Sequence, residues 1–135
     1  MTARRKGREL ALQVLFQKEF ARELEIYEAL SLFRQSFEAE EAAFDYAEAI
    51  LSGIQNNREE IDQLISSQSQ QWSIDRMSLV DVSILRMGVF ELRFMNGEIP
   101  PKVAINEALE ICKKYSSRES SSFVNGILDQ LAIGT

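Results

Sequence analysis

Along most of the chain apolar residues recur three and four positions apart, the spacing that lines one face of an α-helix, and runs of alternating β-branched residues are missing. The first such segment carries Leu10, Ala11, Val14 and Leu15; a second, shorter one carries Ile26, Leu30, Phe33 and Phe37. A third runs from about Glu40 with Phe44, Ala47, Leu51 and Ile54 on one stripe. Asn57 and Glu60 form an N-x-x-E pattern that predicts a new helix start, with Ile61, Leu64 and Ile65 as its apolar face. The polar stretch "SSQSQQ" ends that helix and reads as a link between two lobes, 1–71 and 72–135. Ser78-x-x-Asp81 then caps "VDVSILRMGVFELRF". Val82, Leu85, Val89 and Leu92 form one stripe of this helix, but Ile84, Met87 and Phe90 lie off it, and a helix apolar on most sides belongs at the centre of a bundle. "NGEIPP" is a turn. Val103 to Tyr115 is the next helix, with Ile105, Leu109 and Cys112 on one face, and Ser116-x-x-Glu119 is a capping box ahead of the last, "FVNGILDQL". The pattern predicts an all-α protein.

A chain of 135 residues is expected to form a single domain over 1–135. Charge changes the picture at one place. The chain has 15 basic and 21 acidic residues and a net charge of −6. Yet Arg4, Arg5, Lys6 and Arg8 crowd the opening "TARRKGREL", with no acid among them. Either they form a solvated tail, or they form a phosphate-binding patch on the first helix, where Arg4 and Arg8 share a face. Phe16 lies further along the same segment; an aromatic there can stack on an unpaired base, although periodicity alone favours the core.

Catalytic patterns are scarce. The chain has no histidine, which removes the commonest general base and the commonest transition-metal ligand. Its one cysteine, Cys112, forms no internal disulfide and reads as a small buried hydrophobe on an apolar face. No glycine spacing matches a nucleotide-binding loop. Glu40 and Glu41 are adjacent, so on a helix they point apart and read as solvated acids at a helix start. No metal and no cofactor is expected. No stretch approaches the ~20 apolar residues of a membrane-spanning helix. "ELALQVLFQKEF" is too polar for an export signal, so the cytoplasm is the expected location.

The opening "ARRKGRELALQVLFQ", the central "SLVDVSILRMGVFEL" and the late "PKVAINEALEICKKYSSRESSSFVNGILD" resemble, in order, the motifs of the NusB family. The region from Glu23 to Gln70 is similar mainly in helical character. The resemblance implies an all-α fold of about seven helices in two small packed bundles. It implies a transcription antitermination factor, an RNA-binding adaptor and not an enzyme. Such an adaptor binds single-stranded boxA RNA together with the small-subunit ribosomal protein NusE. It joins other Nus factors on RNA polymerase and supports ribosomal RNA transcription and maturation. Carried over by position, Arg4, Arg5, Lys6 and Arg8 are assigned to RNA, with Phe16 as a base contact and Lys102 as a further RNA contact. Asp75, Asp81, Glu119 and Phe123 are assigned to the protein partner. Periodicity equally allows Phe123 in the core, and Asp81 and Glu119 both fit as capping acids. Asn106 and Asn125, inside helices, read as structural hydrogen-bonding residues. The sequence also allows other readings. One is the NusB-like N-terminal domain of a ribosomal RNA cytosine methyltransferase, although the chain to Thr135 has no room for a cofactor-binding α/β domain. Another is a helical protein-interaction module without an RNA role. Self-association as a homodimer is likewise left undecided.

Overall fold

A computed structural model describes residues 2–21, 23–36, 38–69 and 73–133, with the backbone alone at residue 20. Its elements are α1 (Ala3–Phe20), α2 (Ile26–Ser36), α3 (Glu41–Asn56), α4 (Arg58–Gln68), a short 3₁₀ turn (Ile74–Arg76), α5 (Leu79–Arg93), α6 (Pro101–Tyr115) and α7 (Arg118–Ala132). There is no strand among the described residues, and the all-α expectation holds. Two predicted features fall outside the described residues: the Phe37 end of the α2 stripe and the last two residues of "SSQSQQ".

The chain forms two compact units, Met1–Gln55 and Asn56–Thr135. The boundary therefore precedes α4, where the sequence reading placed it after α4, at 71/72. The reason is packing: α4 buries Ile61 and Ile65 and packs on α5 and α7, so it is a member of the second unit. The polar run that follows α4 marks a helix end and not the seam between units.

In the first unit α1 starts at Thr2, whose hydroxyl accepts a hydrogen bond from the Arg5 N–H at 3.1 Å. From Gly7 to Leu12 every residue of α1 is buried, so the amphipathic stripe predicted for it widens to all sides in its middle. α1 packs on α2, and α2 buries Ile26, Ala29 and Leu30. Arg34 near the end of α2 pairs with Glu41 at 2.7 Å. Phe44, Ala47, Ile50, Leu51 and Ile54 are buried along α3, as its spacing predicts.

The second unit is built around α5. Every residue from Val82 to Leu92 is buried, as the multi-sided apolar pattern requires, and α5 packs on α4, α6 and α7. Gly88 marks its closest approach to α7, since a Cβ there would lie 2.9 Å from Leu128 Cδ1. Two of the buried α5 positions are charged, Arg86 and Glu91. Arg86, 7% exposed, donates through Nε and Nη2 to the two carboxylate oxygens of Asp62 on α4, at 2.9 and 3.1 Å. Such a two-pronged contact is what lets a guanidinium sit inside. Arg93 at the end of α5 donates to the Leu131 carbonyl at 2.9 Å, satisfying one of the open acceptors at the end of α7. In the turn "NGEIPP", Asn96 and Gly97 take positive φ angles of 53° and 78°, a region that asparagine and glycine tolerate best. α6 begins at Pro101, two residues before the predicted start, because a proline's fixed φ and missing N–H suit the first helical position.

Candidate nucleic-acid and protein interfaces

The first candidate surface belongs to the first unit. Arg4, Arg5 and Lys6 occupy the first turn of α1, and no acid accompanies them there. The N-terminus of a helix already carries a partial positive charge, and open N–H groups, so cations in that turn work against helix stability. Their concentration makes a local positive field that an anion would neutralise. Arg4 and Arg5 are exposed and Lys6 is half-buried. Arg8 is different: it is 4% exposed, and its guanidinium carbon lies 5.5 Å from the centre of the Tyr46 ring. Arg4 lies 5.4 Å from the same ring centre. Sequence reasoning grouped the four cations as equivalent, but the structure separates Arg8 as a buried charge. Phe16 is half-buried on α1. Lys102 belongs to the second unit, exposed in the first turn of α6.

The second surface lies within the second unit. An open cleft of about 240 Å³ is lined by Arg76, Met77, Ser78, Asp81, Ser117, Glu119, Ser120 and Phe123. It brings together three residues assigned from sequence to one partner surface: Asp81, Glu119 and Phe123. The fourth, Asp75, is exposed on the adjoining 3₁₀ turn and does not line the cleft. Phe123 is half-buried, so part of its ring is accessible and part is packed.

Local hydrogen bonding explains how the cleft is framed. Ser78 caps α5 as predicted, its hydroxyl accepting from the Asp81 N–H at 3.1 Å. The Asp81 carboxylate does not close that box. It accepts from the Ser116 hydroxyl at 3.0 Å and the Ser120 hydroxyl at 2.9 Å, tying the start of α5 to the start of α7. The cap of α7 is Ser117, which accepts from the Ser120 N–H at 3.1 Å. The predicted Ser116–Glu119 box is thus displaced by one residue. Ser116 is already committed to the end of α6, where its N–H bonds to the Cys112 carbonyl. Glu119 is left exposed in the first turn of α7, where the helix dipole favours a carboxylate. Cys112 lies behind this network, and its thiol is pushed up to about 11, first by burial and then by the negative charge of Asp81; a hydrogen bond involving Ser121 acts in the opposite direction. Asn106 is exposed on α6 and Asn125 is half-buried on α7.

Sequence reading passed over Tyr46 and the cleft residues Arg76, Met77 and Ser117. Arg76 and Met77 carry no local signal, because only the chain's return path brings them to Phe123. Tyr46 carries none either: Gly7 and Gly126 are both glycines inside helical patterns, and only Gly7 meets a neighbouring backbone closely.

Among the described residues no helix is long and apolar enough to cross a membrane. A profile of the NusB family matches residues 5–132. The transcription antitermination protein NusB of Bdellovibrio bacteriovorus is 48% identical over 131 residues, 97% of this chain and 96% of that protein. Its counterpart in Myxococcus xanthus is 45% identical, over 98% of this chain and 96% of that protein. The structure of T. maritima NusB superposes with a TM-score of 0.82 at 36% identity, covering 99% of this chain and 93% of that one. A structure of the antitermination factors NusB and NusE in complex with double-stranded RNA gives a TM-score of 0.84 at 26% identity, over 100% of this chain and 99% of its match. Motif order, the all-α fold with seven α-helices among the described residues, and these matches along nearly the whole chain agree: the chain belongs to the NusB family.

Proposed function

We propose that this protein is an RNA-binding transcription antitermination adaptor with two working surfaces. The start of α1 takes the phosphates of single-stranded boxA-type RNA. The cleft between the 3₁₀ turn, α5 and α7 takes the ribosomal protein NusE. With other Nus factors on RNA polymerase, the pair supports ribosomal RNA transcription and maturation. The observation that carries this reading is the first turn of α1: three cations and no acid, where helix stability alone selects the reverse. The names of the relatives and the presence of NusE and RNA in one structural neighbour support it. The cleft supports the protein half, since Asp81 and Glu119 offer negative charge to a basic ribosomal protein beside the partly exposed ring of Phe123.

The test is a fluorescence-anisotropy titration of boxA and scrambled single-stranded RNA, alone and with NusE. Binding that favours boxA and tightens with NusE is expected. Equal affinity for both sequences, unmoved by NusE, would overturn the proposal. Phe123→Ala is expected to weaken NusE binding by roughly thirtyfold, the loss of a central aromatic anchor. If that variant melts at a lower temperature but binds NusE normally, Phe123 belongs to the core and the cleft is not the partner site.

A further inference from the structure

Gly7 stands between Arg4 and Arg8 on α1, at a close approach of that helix to α3. A Cβ at this position would lie 2.8 Å from the Ala43 carbonyl oxygen and 3.0 Å from Tyr46 Cβ. The missing side chain admits Tyr46, whose ring has both guanidiniums over it, at 5.4 and 5.5 Å. Like charges one helical turn apart repel. A shared aromatic face offsets that repulsion, because the ring's negative face attracts each cation. The two cations are not equally placed: Arg4 is exposed and Arg8 is 4% exposed. A guanidinium uses its flat face on a ring and hydrogen-bonds through its edge, so stacking on Tyr46 and binding a phosphate do not compete. A side chain already held in place also gives up less rotamer freedom when it binds.

We propose that Tyr46 is a positioning residue for RNA binding: its ring, admitted by Gly7, holds Arg4 ready for a phosphate, while Arg8 packs on the same ring as a buried charge with no phosphate of its own. This rests on the reading of the α1 start as an RNA surface. The role differs from a structural one because Tyr46 then acts on RNA only through Arg4.

A double-mutant cycle on affinity for the boxA oligonucleotide tests it. Tyr46→Leu is expected to weaken binding about two- to fivefold, the worth of an exposed cation–π contact. It should leave the salt dependence unchanged, since no charge is lost. Tyr46→Phe should bind as the parent does. In an Arg4→Ala background Tyr46→Leu should have no further effect, and additive losses would overturn the proposal. If Tyr46→Leu does not fold, Tyr46→Met takes its place in the same cycle. Arg4→Ala at parental affinity would sink the RNA reading of the α1 start. Arg4→Ala weakened, with Tyr46→Leu unaffected, would sink the role of Tyr46 alone.

Discussion

At the scale of single residues, the structure gives several polar side chains work that their sequence position does not announce. Asp62 is half-exposed on α4, yet it bridges the buried Arg86 and the exposed Arg58, the latter at 3.2 Å. Asp62→Ala would leave the Arg86 charge buried without its carboxylate, at a cost of about 3–5 kcal/mol in urea denaturation. Arg58→Ala removes only an exposed pair four residues apart and should cost about 0.5 kcal/mol or less. Cys112 makes a second case. Its thiol is raised to about 11 from an ordinary 9.0, so the unfolded chain loses this proton at lower pH than the folded one. The resulting contribution to stability is complete below pH 9 and disappears as pH rises toward 11. Cys112→Ala lacks this dependence, so the parent's melting temperature should fall relative to the variant's across that window. A parallel pair of curves would show that burial of the thiol does not couple to folding. The same burial should keep Cys112 unreactive toward a thiol reagent at pH 8 until denaturant is added.

At the scale of elements, helix packing decides what each glycine and cap is for. Gly7 meets backbone, the Ala43 carbonyl, which cannot swing aside, so Gly7→Ala should destabilise by ~1–3 kcal/mol. Gly126, within α7, has open space where a Cβ would go, and Gly126→Ala should stabilise by ~0.5–1 kcal/mol because alanine suits a helix interior better. Equal effects of the two substitutions would mean that α1 and α3 are not held in this close contact. Ser117→Ala removes the cap of α7 and should cost ~0.5–2 kcal/mol. Asn57 holds the equivalent position before α4 but makes no side-chain capping bond. The sequence pattern marked both positions as helix starts or close to them. It could not tell a hydroxyl that reaches its N–H from an amide that does not.

At the scale of the whole molecule, the net charge of −6 conceals the opposite local sign at the start of α1. Arg4 and Arg5 are the exposed members of that group. Replacing both by alanine should reduce the slope of log affinity against log salt by about 1.4, at ~0.7 per phosphate contact on a single strand. The preference for boxA over scrambled RNA should largely survive, because phosphate contacts position a strand and base contacts specify it. An unchanged slope in the folded variant would make the basic start a solvated tail.

Helix positions, the central place of α5 and the family were legible in the sequence. All three depend on local spacing and on motifs that lie contiguous along the chain, and periodicity reports local burial directly: Val82 to Leu92 read as apolar on most sides and are buried on all of them. The boundary between units was not legible, because a polar run looks alike whether it ends a helix or separates two cores. Nor were the burial of Arg8, the turn of Asp81 away from its own cap toward Ser116 and Ser120, and the gathering of Met77, Glu119 and Phe123 around one cleft. Each depends on which distant residue arrives beside it. Tyr46 is 42 positions from Arg4 and 38 from Arg8, a pairing that no helical period encodes and that only the close approach of α1 and α3 at Gly7 brings about.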